Sequence, residues 1–166
     1  MLFRSSLLVA KDLSQGSGVS SAAPGGNPAA APLLAKDLVP GDIVQVLMLW
    51  NHTMGSEQQK TRPWIVISSA DFHAKGLGLF IGVPLTKQAH KVTGFLGARI
   101  PLSDGEVNYA DAHLTPSLRL DRGLKRLALC EQVRTLSEKR LLGRAGSVDA
   151  KTLSGIRGGV TFVIDA

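Results

Sequence analysis

The sequence predicts a mainly β domain: a small barrel or sandwich of short strands closed by one C-terminal helix. Short apolar runs recur from residue 40 onward and are separated by Gly, Asn, Asp and Lys. Five or more such runs at this spacing fit a small closed or stacked sheet. The last stretch changes period, with Ala150, Leu153, Ile156, Val160 and Val163 falling on one helical face.

The first 39 residues do not belong to that pattern. Residues 1–13 hold one Arg and a short apolar run (LLVA), too brief for a secretion signal. Residues 14–32 contain 16 Gly, Pro, Ser or Ala among 19, with no charge and no aromatic ring. Such a segment buries too little surface to offset its ordering entropy. The expected organisation is a disordered extension and linker over 1–39 and one domain over 40–166. The strands are expected at 42–49 (DIVQVLML), 64–68 (WIVIS), 77–85 (LGLFIGVPL), 95–102 (FLGARIPL) and 127–134 (LALCEQVR). The helix is expected over 149–164, with Asp149 or Ser147 as its N-cap. Gly155, Gly158 and Gly159 each cost that helix roughly 1 kcal/mol against Ala. Its stability must therefore come from packing, with another backbone passing close by.

Composition narrows the function classes. Of 166 residues 44% are hydrophobic and 19% charged, enough for one core, and no apolar run approaches the roughly 20 residues of a membrane helix. A formal charge of +6 with a pI near 9.8 favours a polyanionic partner, nucleic acid first. Residues 87–140 hold 10 Lys or Arg and 6 Asp or Glu, so the basic character is concentrated there. Cys130 stands alone and forms no internal disulfide, in keeping with a reducing cytoplasm. His52, His73, His90 and His113 are widely spaced and show no metal-ligand pairing, so no metal and no cofactor are expected.

If the polyanionic partner were RNA and the chain cut it without a metal, three things would be needed: deprotonation of the attacking 2′-hydroxyl, stabilisation of the phosphorane charge and protonation of the leaving 5′-oxygen. Arginine suits the second, because its planar fork donates two hydrogen bonds to phosphate oxygens and stays charged. Arg62 precedes Pro63, which holds it extended at the entrance to a strand. A strand end is a rigid mount for such a side chain.

The run Gly55-Ser56-Glu57-Gln58-Gln59-Lys60-Thr61-Arg62-Pro63, between GDIV at 41–44 and WIVIS at 64–68, resembles the signature loop of the MazF/PemK toxins. Val83-Pro84-Leu85-Thr86 is similar to that family's strand ending in Thr, and Glu131-Gln132-Val133-Arg134 to its later acidic-Gln-basic strand. Gly143-Arg144 followed by the helix matches its C-terminal layout. The resemblance covers roughly residues 40–165. It implies a small SH3-like, partly open barrel of the PemK/CcdB type and a metal-independent, sequence-selective endoribonuclease acting on single-stranded RNA. It also implies a homodimer with RNA bound along the dimer interface, and a cognate antitoxin that covers this groove and joins the toxin on operator DNA. Residue by residue, it implies Arg62 and Thr86 as catalytic, with Glu57, Gln58, Lys60, Glu131 and Gln132 in contact with RNA. Leu129 stands where some PemK members carry an Arg proposed as general acid, leaving the mechanism to Arg62 and Thr86. Two other readings keep the same barrel: a non-catalytic binding module and a CcdB-like gyrase poison. The 103–126 connection is longer than is typical of the family and carries Arg119, Arg122, Lys125 and Arg126, either as an extended phosphate track or as a solvated basic loop.

Overall fold

In the computed structural model, residues 32–48, 61–87, 97–110 and 119–165 are described. In chain order the elements are β1 (Asp42–Val46), β2 (Arg62–Val66), α1 (Ala70–Ala74), β3 (Leu79–Thr86), β4 (Arg99–Leu102), β5 (Val107–Tyr109), β6 (Arg126–Leu129), β7 (Arg134–Ser137), β8 (Leu141–Val148) and α2 (Ala150–Ile164). The strands form one antiparallel sheet in the order β4-β6-β3-β2-β1-β8-β5, and β7 pairs with β3.

Alternation of side chains sorts the core onto two faces. Ile43, Ile65, Val83, Leu85 and Ala128 point one way and pack beneath Ile156 and Val160 of α2. Val44, Val46, Trp64, Val66 and Phe80 point the other way, joined by Leu38, Met48 and Leu136. Both faces of β1 are thus buried, and this is why it reads as an unbroken apolar run.

Two irregularities bend this sheet. Against β1, the β8 register slips between Ile43 and Val44 and again between Gln45 and Val46, leaving Ala145 and Leu142 as extra residues on β8. Bulges of this kind curl a strand and raise its twist. The sheet closes into a half-barrel with the C-terminal helix across it, the architecture the sequence predicts.

Strand boundaries differ from expectation in one informative place. The run 127–134 is not one strand: β6 stops at Leu129, a short 3₁₀ turn covers Cys130–Gln132, and β7 resumes at Arg134. Both pieces pair with β3, β6 against Leu85 and Thr86 and β7 against Leu79 to Gly82. An eight-residue strand therefore receives two short ones along a single edge, and the turn absorbs the residues that do not fit the ladder. Of the strand expected at 95–102, Arg99–Leu102 form β4, and residues 95 and 96 lie outside the described residues.

Residues ahead of β1 also pack. Ala35 and Leu38 are buried, the Ala35 amide donates to Glu138 Oε2 at 2.7 Å, and the Leu38 carbonyl accepts from His73 Nδ1 at 3.0 Å. A carbonyl only accepts, so Nδ1 carries a proton, and Nε2 meets the Ser68 hydroxyl at 2.7 Å. The Ser68–His73 pair is thereby spent on tying α1 to the sheet. No helix among the described residues is long and apolar enough to cross a membrane.

Candidate functional site

One end of the β2–β3 pair gathers the residues with chemistry. Arg62 opens β2, half-buried, and pairs in register with Val46 of β1. Thr86 closes β3, is 8% exposed, and pairs with Leu127 of β6. The β2–β3 register runs Trp64 to Pro84, Ile65 to Val83 and Val66 to Gly82. Carried two residues further, it sets Arg62 opposite Thr86. Positions directly opposed in an antiparallel pair lie about 4.5–5.5 Å apart at Cα and share a face. The registers thus line up the backbone positions of Val46, Arg62, Thr86, Leu127 and Pro101 in a row across five strands.

The local sequence explains why this end of the sheet presents side chains rather than a closed ladder. Pro63 and Pro84 each remove a backbone donor next to the row. Pro63 also keeps Arg62 extended. Trp64, on the same face one step inward, is 1% exposed and gives the row an apolar floor; its indole Nε1 meets no acceptor among the described residues.

The remaining candidates separate into two groups. Glu131 and Gln132 lie in the turn between β6 and β7, half-buried. Glu131 Oε1 accepts from Arg99 Nε at 2.9 Å, while its Oε2 is buried with no donor among the described residues. Glu57, Gln58 and Lys60 lie outside the described residues. Arg99 carries no signal in the sequence: it is one cation inside an apolar strand, and only the β4–β6 register, which sets it opposite Leu129, brings it to Glu131. No group of three or more His, Cys, Asp or Glu converges among the described residues.

Beside Thr86, Lys87 Nζ contacts Asp121 Oδ2, and that hydrogen bond and charge hold the Asp121 carboxyl below the usual aspartate range. Cys130, on the other side of the sheet, is fully buried, and desolvation pushes its thiol up to about 11. It is a packing residue.

With this geometry, a family comparison becomes decisive: residues 40–164 match the model of the PemK-like, MazF-like toxins of type II toxin–antitoxin systems. The chain belongs to that family. The match spans the whole sheet and α2, so the toxin fold begins just before β1 and ends with the helix. MazF from Deinococcus radiodurans superposes with a TM-score of 0.53 at 22% identity, covering 78% of this chain and 97% of that one. This likeness shows the fold. Two further structures are similar: the Mycobacterium tuberculosis toxin MazF-mt6 (TM-score 0.49, 14% identity, 75% of this chain and 96% of that one) and a mycobacterial endoribonuclease in complex with its cognate antitoxin (TM-score 0.46, 13% identity, 77% and 95%). No curated protein matches the sequence.

Proposed function

We propose that this toxin is a metal-independent endoribonuclease that cuts single-stranded RNA at selected sequences. What supports the reading is a β2–β3 register that, continued, sets Arg62 opposite Thr86, on a chain of the MazF-like toxin family. The ribose 2′-oxygen attacks phosphorus and forms the P–O2′ bond as its proton leaves to a base. The P–O5′ bond then breaks and O5′ takes a proton, leaving a 2′,3′-cyclic phosphate and a 5′-hydroxyl. Arg62 neutralises the phosphorane oxygens through paired N–H donors, and Thr86 adds a hydroxyl hydrogen bond to a phosphoryl oxygen. Single-strandedness follows because the cut nucleotide must be splayed out for in-line attack. Glu131 and Gln132, with Glu57, Gln58 and Lys60, contact the RNA bases or backbone. No cofactor takes part.

The remaining partners follow from membership in a type II system. The toxin acts as a homodimer in the cytoplasm, a cognate antitoxin covers its RNA groove, and the pair binds operator DNA.

The test is cleavage of mixed RNA by the purified chain in excess EDTA, with mapping of both new ends. The expected result is 5′-hydroxyl and cyclic phosphate termini at a recurring sequence. Arg62→Ala should lower the single-turnover rate by roughly 10²–10³-fold, the loss typical of one oxyanion donor. Thr86→Ala should lower it by about tenfold or more. Full activity in Arg62→Ala would sink the mechanism; trapped topoisomerase with intact RNA on induction would point to a gyrase poison instead.

A further inference from the structure

The basic connection ahead of β6 is built in a way that mere solvation does not require. Arg126 is 2% exposed, donates to the Leu124 carbonyl at 3.2 Å, to the Asp121 carbonyl and to the Tyr109 hydroxyl at 3.5 Å, and its Nε meets no acceptor among the described residues. Burying a guanidinium costs free energy, offset here by hydrogen bonds that tie the group to the backbone around it. What it fixes is the backbone of residues 121–125, whose other end is held by Leu120 in the core under α2. Residues 121–125 themselves are exposed.

Their cations are arranged around this rigid stretch. The Arg122 guanidinium lies 5.0 Å from the centre of the Tyr109 ring, and Tyr109 is anchored in turn to Asp104. A guanidinium stacked on a ring keeps its in-plane N–H groups turned outward, the presentation that suits a phosphate. Lys125 is exposed three residues further on, and Lys87, the residue after Thr86, reaches Asp121 of the same stretch. Because Thr86 pairs with Leu127, this segment leads directly into the strand that flanks Thr86. The Asp121 carboxylate holds Lys87 in the free chain through an exposed pair, and Asp104 is the second carboxylate of the cluster, bound by the Tyr109 hydroxyl. Exposed pairs of this kind are weak, and a phosphate displaces the carboxylate readily.

We propose that residues 119–126, with Lys87, form a preshaped phosphate-binding shelf that holds the single-stranded RNA flanking the cleavage position. Arg126 is its positioning residue, and Lys87, Arg122 and Lys125 are its phosphate contacts. The inference rests on the endoribonuclease reading and extends it from the cut nucleotide to its neighbours.

The experiment measures binding of the full chain to RNA blocked by a 2′-deoxy nucleotide at the mapped cut, in a short form spanning only the recognition sequence and a long form extended on both sides. The triple variant Lys87→Gln, Arg122→Gln, Lys125→Gln is compared with wild type across a salt series, with unfolding curves as a fold control. For the long RNA the slope of log K against log salt should fall in magnitude by about 2, three contacts at roughly 0.7 each on a single strand. The short RNA should bind both proteins alike. An unchanged slope on the long RNA, or equal loss on both RNAs, overturns the shelf. Loss of antitoxin binding with the RNA slope intact also overturns it and gives the surface to the antitoxin. A wild type that neither cuts nor binds RNA removes the endoribonuclease reading and the shelf together, whereas a wild type that cuts while the triple variant keeps its slope removes the shelf alone.

Discussion

Gly159 sits in the middle of α2 because of a sulfur atom. A Cβ there would lie 2.8 Å from Cys130 Sγ and 3.2 Å from the Gly97 carbonyl, so the helix approaches the turn after β6 at a distance only glycine permits. Gly155, on the outer side, would meet nothing among the described residues. The two positions therefore respond oppositely to the same change. Gly155→Ala should stabilise by up to about 1 kcal/mol through helix propensity. Gly159→Ala gains the same propensity but overpacks the core, for a net loss of about 1–2 kcal/mol. Adding Cys130→Ala to it should recover most of that loss, because the nearest atom is then gone. Denaturant unfolding of the three proteins decides the matter, and a Gly159→Ala chain as stable as Gly155→Ala would show that the close approach is not there.

Among the elements, α2 is the one whose ends and face are most plainly written in sequence. Asp149 accepts from the Thr152 amide at 2.7 Å, and that bond holds its carboxyl below the usual range. A carboxyl with a depressed folded pKa contributes stability that is fully present above its ordinary value of 3.8 and is lost as pH falls through the folded value. The melting temperature of Asp149→Asn should consequently lie below wild type at neutral pH and converge with it in acid below 3.8. A gap that stays constant across that range would rule out the charged cap. β8 shows the opposite case. Its two extra residues, Ala145 and Leu142, shift the inside–outside alternation twice within eight positions, so no period-2 pattern survives for a reader of the sequence. The break between β6 and β7 is hidden for a related reason, since LALCEQVR is apolar and polar in the right places while the interruption comes from two strands sharing one edge of β3. The same limit applies to the site. Arg62 is legible locally through Pro63, and Thr86 through a family resemblance, but Arg99 meets Glu131 only through a register that no local pattern reveals.

At the scale of the whole molecule, the sheet is buried on both faces, and α2 packs over the one bearing Ile43, Ile65 and Val83. The Val44, Val46, Trp64 and Phe80 face is completed partly by Leu38 and Leu33, residues that stand before the family match at 40–164 and before the domain start expected at residue 40. Leu38 is 2% exposed, and its carbonyl is the acceptor for His73 Nδ1 in a buried position. Asp37 and Ala35 are held through their backbones by Arg144 and Glu138. Removing this segment deletes a buried leucine, worth about 2–5 kcal/mol in comparable cores. It also strands a buried imidazole N–H, for about 1–3 kcal/mol more. Against a total of about 5–15 kcal/mol for an ordinary domain, the loss is large. A chain beginning at Pro32 should therefore unfold cooperatively, while one beginning at Pro40 should melt about 10 °C lower or more, with exposed apolar surface that binds a hydrophobic dye. If the two truncated chains melt together, Leu38 is not part of the core, and the sheet face bearing Trp64 and Arg62 must be closed by something else.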